Sequence, residues 1–236
     1  MVHAVRGTVR EELTAAAINL FQANGYDKTT VDEIAEAAGV ARRTFFRHFR
    51  SKEEAVFPDH EDCLRRVEEH LAAADPRQTP FQLMTGAAHL VLGMYTGDPP
   101  LAVRRYRLIR EVESLREREI TTTTRYQRVF AEYLHRQLRG HDQHRLLHEV
   151  AAATVVATHN YVLRQWLRDG GTGDAHAQLD SALRMVSETY PGWLRAESGA
   201  PAGDEVLVLR VRPNTPLWRI AEEIEAAAGP SATPSD

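Results

Sequence analysis

Two short helix signals, separated by only two residues, constrain this chain more than any other feature. The stretch TTVDEIAEAAG opens with Thr30 three residues before Glu33, which is the spacing of a reciprocal helix N-cap. Gly39 is a suitable end for that helix, and ARRTFFRHF follows directly after Val40. Because so short a junction allows only a sharp turn, the pattern predicts a helix-turn-helix.

The second of these helices is both basic and aromatic. Phe45 and Phe49 are four residues apart and share a face, which we expect to pack against the preceding helices. Arg42, Arg43 and Arg47 fall on the other side. An outward cationic face on a slim helix fits the major groove of DNA, where arginine binds guanine through two hydrogen bonds.

The distribution of charge also favours a polyanion as the partner of this segment. The chain carries a net charge of −4, yet residues 1–52 hold eight Lys or Arg against six Asp or Glu. The acidic excess therefore lies in the rest of the chain. Such an asymmetry is typical of a nucleic-acid-binding module on a body that avoids nucleic acid.

The segment TTVDEIAEAAGVARRTFFRHFRSKEE resembles the DNA-binding signature of the tetracycline-repressor (TetR) family. The resemblance implies phosphate contacts by Thr30, His48 and Lys52, and contacts to base edges by Arg42, Arg43 and Thr44. Phe46 departs from the family pattern, which usually has tyrosine there, so its expected role is contact with a thymine methyl or sideways packing. The full set of expected DNA-contacting residues is Thr30, Arg42, Arg43, Thr44, Phe46, Arg47, His48 and Lys52.

Helical patterns continue through most of the chain, so an all-α fold is expected. The expected organisation is a three-helix DNA-binding domain in residues 1–52, a helical ligand-binding and dimerisation domain in 53–196 and an extension in 197–236. Ser51 and Glu54 have the capping-box spacing and predict the start of a fourth helix. Pro58 is expected to kink or restart that helix.

The extension has a pattern of its own. The stretch VLVLRV predicts a β-strand, and NTPLWRIAEEIEAAAG predicts a helix capped by Thr215 with Pro216 at its first position. Because one strand cannot stand alone, we expect residues 205–228 to dock on the dimer as a strand-helix flap. The final stretch, GPSATPSD, predicts a disordered tail.

A helix at about 143–169 contains VAAATVVATHNYVLRQWL, which is apolar around nearly its whole circumference. A helix of this kind must be covered on all sides. In the TetR fold the last two helices pair with those of a second subunit, so the resemblance implies a homodimer. The expected interface residues are Val155, Val156, Tyr161, Leu179, Leu183 and Val186.

Polar side chains within this apolar helix are candidate ligand contacts, and they are equally candidate core residues satisfied by their neighbours. The arginines in LAVRRYRLIREV either line the mouth of an anion site or form a solvated face. The expected ligand-contacting residues are Tyr95, Arg104, Arg107, Thr154, Thr158, His159 and Asn160.

Other chemistry has little support in the sequence. His141, His144 and His148 have metal-ligand spacing but fall in a polar loop, so no metal and no cofactor is expected. Catalytic and phosphate-binding motifs are absent from the sequence, and the single Cys63 excludes a disulfide framework within one chain. No signal peptide and no apolar run long enough for a bilayer is found, so a cytoplasmic protein without a membrane partner is expected.

Together these features predict a homodimeric, non-enzymatic transcriptional regulator that binds a palindromic DNA operator. The resemblance implies a repressor that a small molecule releases, and acyl-CoA or other lipid-derived compounds are the first effectors to test. One alternative is an architectural DNA-binding protein, whose operator affinity no metabolite would alter. An enzyme on a helical scaffold is the other, and it would need convergent titratable groups that the sequence does not show.

Overall fold

The computed structural model describes residues 8–73, 77–137 and 145–189. Every regular element in these ranges is helical, which confirms the all-α prediction. The extension at 197–236, with its predicted strand, helix and tail, lies outside the described residues.

The first three helices are α1 (Val9–Asn24), α2 (Val31–Ala37) and α3 (Arg42–His48). Thr8 and Thr30 cap α1 and α2, and each forms a complete capping box with the glutamate three residues later. Gly39 adopts a positive φ of 68° in the turn before α3, a conformation that glycine adopts without strain. These local signals are the physical basis of the predicted helix-turn-helix, which the structure contains.

The start of the fourth helix differs from the sequence prediction. Ser51 and Glu54 do not begin it; Glu54–Val56 forms a single 3₁₀ turn, and the Glu54 carboxylate accepts a hydrogen bond from the Arg50 backbone N–H. Pro58 disfavours a helical conformation at Phe57, which is extended. Helix α4 (His60–Ala72) then begins behind a new cap, Asp59.

The larger part of the fold consists of α4 and five further helices. These are α5 (Pro80–Thr96), α6 (Pro99–Glu111), α7 (Glu113–Gln137), α8 (Arg145–Arg168) and α9 (Ala175–Thr189). Helix α8 packs against α5, α6, α7 and α9, so it occupies the centre of this part.

Two hydrophobic clusters hold the fold together. One fills the space between α1, α2, α3 and the 3₁₀ turn, and it also includes Leu108, Ile109 and Leu115 from α6 and α7. The other joins α4 to α9. Because α6 contributes side chains to both clusters, it connects the DNA-binding helices to the larger helical part.

Candidate DNA-binding face and ligand cavity

Helix α3 presents its cationic side to solvent. Phe45 and Phe49 are fully buried, as their spacing predicts, whereas Arg43 and Arg47 are exposed. Thr44 is half-buried beside them. Exposed arginines on a helix held by a buried aromatic face are the groups that a major groove can accept.

Arg42 is held in place before any DNA is bound. Its Nη1 atom lies 2.5 Å from a carboxylate oxygen of Asp32, and its guanidinium carbon lies 5.4 Å from the centre of the Phe46 ring. The ring of Phe46 is 46% exposed and packs edge-on against Phe45. Phe46 therefore supports Arg42 by sideways packing, which is one of the two roles expected for it.

The three residues expected to contact phosphates differ in how free they are. The Thr30 hydroxyl donates to the Glu33 carboxylate at 2.9 Å, so its proton is used within the cap. His48 is half-buried, and its Nε2 atom is buried with no hydrogen-bond partner in the described part of the chain. The phosphate contact that the resemblance implies for His48 stays a prediction.

Lys52 is bonded inside the protein. Its Nζ atom donates to the backbone carbonyl oxygens of Tyr26, Asp27 and Thr29 at 2.8, 3.4 and 3.1 Å, and it lies 4.5 Å from the Tyr26 ring centre. These bonds tie the α1–α2 loop to the segment after α3. The ammonium group of Lys52 thus holds these segments together, and the phosphate contact that the resemblance implies for it stays a prediction.

Arg10 makes contacts with the end of α3 and the start of α4 that the sequence does not predict. It donates from Nη1 to the His48 carbonyl oxygen at 2.8 Å, lies 4.4 Å from the Phe49 ring centre and pairs with Asp59 at 3.1 Å. One side chain of α1 therefore fixes the end of α3 to the start of α4. Sequence spacing gives no signal of such a long-range pairing.

A cavity of about 60 Å³ lies among α4, α5, α6, α7 and α8. Most of its wall is apolar. Side chains that supply this apolar wall include Ala88, Val91, Phe130, Val156, Leu163 and Leu167.

Three of the seven predicted ligand contacts line this cavity, namely Tyr95, His159 and Asn160. The other four lie elsewhere. Arg104 donates to the Asn19 side chain of α1 at 2.5 Å, and Arg107 is exposed. The hydroxyls of Thr154 and Thr158 donate to the carbonyl oxygens four residues earlier in α8, which is the ordinary way for threonine to be satisfied in a helix.

The polar groups of the cavity are strongly affected by burial. Burial lowers the pKa of His159 to about 4, against a smaller opposite effect from Asn160. Burial, and then the positive charges of Arg105 and Arg125, lower the pKa of His60 to about 4. Burial raises the pKa of the Glu119 carboxyl, which Arg164 partly offsets. The two histidines are therefore neutral at pH 7.

Arg105, which the sequence analysis passed over in favour of its neighbours, lines the cavity and is only 5% exposed. Its Nε atom donates to the Val56 carbonyl oxygen at 2.6 Å, and burial lowers the pKa of the guanidinium group. Ala102, Arg105 and Ile109 fall on one buried face of α6. A charged residue within an apolar helical stripe was the signal that could have identified it.

The residues expected at the dimer interface divide into two groups. Val155, Val156, Leu179 and Leu183 are buried in the core of the protomer itself, because α5, α7 and the α8–α9 contact already cover them. Val186 is half-buried and Tyr161 is 63% exposed. The exposed apolar surface of α8 includes Leu146, Val150, Ala157 and Tyr161, of which Tyr161 belongs to the expected interface.

The described residues meet neither the requirements of a metal site nor those of a membrane-spanning helix. No group of three or more His, Cys, Asp or Glu residues is arranged there to hold a metal ion. His148 lies 2.7 Å from His135, between their Nδ1 atoms, while His141 and His144 are outside the described residues. None of the helices placed by the structure has the length and apolar character needed to cross a membrane.

Comparison with known proteins assigns both parts of the chain to one family. Residues 13–56 match the family described as bacterial regulatory proteins, tetR family, and residues 78–191 match the MftR C-terminal domain. The chain is 29% identical over 184 residues to MftR of Mycobacterium tuberculosis, a mycofactocin biosynthesis transcriptional regulator by name, and the match covers 77% of this chain and 90% of MftR.

Two further similarities agree with this family assignment. The chain is 46% identical over 88 residues to the regulator TcmR of Streptomyces glaucescens, a match that covers 36% of this chain and only 37% of TcmR. The structure is similar to the transcriptional regulator FadR of Bacillus subtilis, solved in complex with stearoyl-CoA, with a TM-score of 0.50 and 20% identity, covering 75% of this chain and 96% of FadR.

Regulators of this family bind DNA operators and small-molecule effectors and act as dimers; they are not enzymes. The family assignment confirms the expectation of a non-enzymatic regulator with a helix-turn-helix. On these sequence matches, together with the capped helix-turn-helix and the helical part behind it, the chain belongs to the TetR family of bacterial transcriptional regulators.

Proposed function

We propose that this protein is a cytoplasmic repressor that binds a palindromic DNA operator as a homodimer and is released by a small molecule that enters the cavity. Arg43, Arg47 and Thr44 would face the bases, with Arg42 held ready by Asp32 and Phe46. One recognition helix from each subunit would occupy successive major grooves.

A single hydrogen bond carries the regulatory part of this proposal. Arg105 lines the cavity and donates to the Val56 carbonyl oxygen, which belongs to the 3₁₀ turn in the cluster of the DNA-binding helices. Phe57, the next residue, also lines the cavity. A ligand that displaces either side chain therefore acts directly on the segment that follows α3.

The size of the cavity indicates how a ligand would act. Small-molecule sites usually have volumes of about 300–1,000 Å³, whereas this cavity measures about 60 Å³. A ligand of ordinary size would therefore enlarge this cavity or extend out of it, since Val156, Asn160 and Arg164 also line a neighbouring, more open pocket. If the enlarged state holds the two recognition helices at a spacing that no longer matches the operator, ligand binding shifts the population away from the DNA-binding form.

The proposed dimer surface is the exposed apolar stripe of α8. Leu146, Val150, Ala157 and Tyr161 follow one another at intervals of four and seven residues, so they lie on one side of the helix. We assign this stripe to a second copy of the chain, because the family acts through dimers and the stripe is an uncovered apolar part of a central helix.

Acyl-CoA compounds remain a candidate effector class. The FadR of Bacillus subtilis was solved with stearoyl-CoA, and the apolar wall of the present cavity is compatible with a lipid chain once it is enlarged. At 20% identity this likeness extends to the fold alone, so the effector of this protein has to be found by experiment.

The experiment is a selection of operator sequences. Purified protein is equilibrated with a pool of random duplexes, bound DNA is sequenced, and affinity for the selected site is measured with stearoyl-CoA or with free coenzyme A as the matched control. We expect enrichment of a palindromic site; weaker binding with stearoyl-CoA and not with free coenzyme A would identify acyl-CoA as an effector class. Failure to enrich any sequence over random DNA would contradict the function as a regulator, and enrichment of a single half-site would contradict binding as a dimer.

A further inference from the structure

One residue that lines the cavity, His159, has a fully buried hydrogen-bonding atom without a partner in the described part of the chain. His159 is 6% exposed and lines the cavity, and its Nε2 atom is buried with no hydrogen-bond partner among the residues that the structure describes. A buried polar atom without a partner is unfavourable, because it has lost its hydrogen bonds to water. Native structures retain such atoms where something else supplies the missing bond.

The other ring nitrogen determines what Nε2 can do. His159 Nδ1 lies 3.2 Å from Asn160 Oδ1, an atom that accepts hydrogen bonds and does not donate them. The proton of the neutral ring is therefore on Nδ1. With Nδ1 protonated and the ring neutral, Nε2 carries a free lone pair and acts as an acceptor only.

The second histidine of the cavity is in a different position. His60 Nδ1 is already bonded to the hydroxyl oxygen of Tyr126 at 3.0 Å. Burial also keeps both rings neutral at pH 7, so neither offers a positive charge to an anionic group. Of these two histidines, only His159 has a ring nitrogen that is both buried and without a partner in the described part of the chain.

We propose that the effector bound in this cavity is a compact apolar molecule with a hydroxyl group that donates a hydrogen bond to His159 Nε2. This inference rests on the proposed function only in taking the cavity as the effector site. It differs from the acyl-CoA expectation in the size of the molecule and in the group that meets His159, because the thioester and hydrocarbon chain of an acyl-CoA contain acceptors but no donor, and its donors lie on the coenzyme A part. The preference would come from pairing the one unsatisfied buried atom, and the apolar wall would hold the rest of the molecule.

Phenol and toluene are suitable probes, since they have nearly the same shape and differ in a hydroxyl against a methyl group. An apolar cavity favours toluene, because phenol must give up its hydrogen bonds to water. A cavity with a free acceptor reverses that order. Binding to the full-length protein is measured by NMR titration, and also in a Leu163→Ala background, in which a lining side chain is shortened to make room for a ring.

For the protein with His159 we expect phenol to bind about tenfold more tightly than toluene, and for His159→Leu we expect the order to reverse by a similar factor. His159→Gln, which keeps an acceptor, should restore part of the preference for phenol. Nitrogen-15 spectra of the unaltered protein should show a protonated Nδ1, with the Nε2 signal moving on addition of phenol and not of toluene.

Equal or weaker binding of phenol in both backgrounds, absence of phenol binding in both, or a proton found on Nε2 would overturn the inference. None of these measurements needs His159→Leu, so they stand even if that variant does not fold. Operator affinity is measured separately with each probe. Preferential binding of phenol without any effect on the operator would support the hydroxyl inference and contradict the proposed regulation.

Discussion

The Nε atom of Arg105 lies 2.6 Å from the carbonyl oxygen of Val56, and this bond joins the wall of the cavity to the turn behind the DNA-binding helices. Both residues are buried, so water does not replace the bond when it breaks. A buried carbonyl that loses its partner costs about 1–3 kcal/mol. The bond is thus strong enough to influence how the DNA-binding helices are held.

We expect Arg105→Met to loosen these helices. The methionine keeps the apolar stem but removes the donor, so amide protons of α3 should exchange about tenfold faster or more, as measured by hydrogen exchange. Arg107→Met is the matched control, since Arg107 is exposed on the same helix. Equal exchange rates in the two variants would show that the bond to Val56 carries no coupling.

Arg43 is expected to read bases. It is exposed on α3, between the pre-oriented Arg42 and the half-buried Thr44. Arg43→Ala should weaken binding to the selected operator by about 1–3 kcal/mol and relax preference at one position of each half-site, as measured by titration against single-base variants of the site. Equal losses on operator and random DNA would remove the base-reading role.

Lys52 is expected to stabilise the DNA-binding helices and not to contact phosphate. Its ammonium group is already bonded to three backbone carbonyl oxygens. Lys52→Met should lower the free energy of unfolding by about 1–2 kcal/mol. The dependence of operator affinity on salt concentration should stay unchanged in this variant. A fall of about one in the salt slope would instead indicate a phosphate contact.

The helix-turn-helix can be predicted from the sequence because the residues that determine it act locally. Thr30, Glu33 and Gly39 act within a few residues of their positions, and the structure reproduces the caps and the turn that they predict. The sequence does not predict where α4 starts. Ser51 and Glu54 have the capping-box spacing, but Pro58 favours an extended conformation at Phe57, so the helix begins only after Asp59.

The cavity and the dimer surface depend on which helices meet, and periodicity does not supply that information. From the sequence, an α8 that is apolar on most sides predicts an interface helix. Most of those sides, including Val155 and Val156, are covered by other helices of the same protomer. Arg104 and Arg105 are neighbours in sequence, yet only the tertiary fold decides that one contacts α1 and the other the cavity.

The buried histidines predict a dependence of stability on pH. His60 and His159 have pKa values of about 4 in the folded protein against about 6.5 for an exposed histidine, so the unfolded chain binds more protons between these pH values. Stability is therefore full above about pH 6.5 and falls as the pH drops towards 4.

Each histidine contributes at most about 1.4 kcal/mol per pH unit across that window. Thermal or denaturant unfolding followed from pH 7 to pH 4 measures the total. His159→Leu should make the decline less steep by the share of one histidine. A decline of the same steepness in the variant would show that the ring of His159 is readily protonated in the folded protein.

The last prediction concerns the second copy of the chain. Tyr161 is 63% exposed on the apolar stripe of α8, and the proposed dimer would bury it against the partner. Tyr161→Asp should then place an unpaired charge in the interface and dissociate the dimer, as measured by sedimentation at micromolar concentration.

Ile120→Asp is the matched control, because Ile120 is 66% exposed on α7 and lies outside the stripe. Since neither side chain is needed by the core of the protomer, both variants should keep their helical content. Operator affinity should fall only in Tyr161→Asp, because two half-sites can no longer be held by one molecule. If both variants remain dimeric, the subunits associate through another surface.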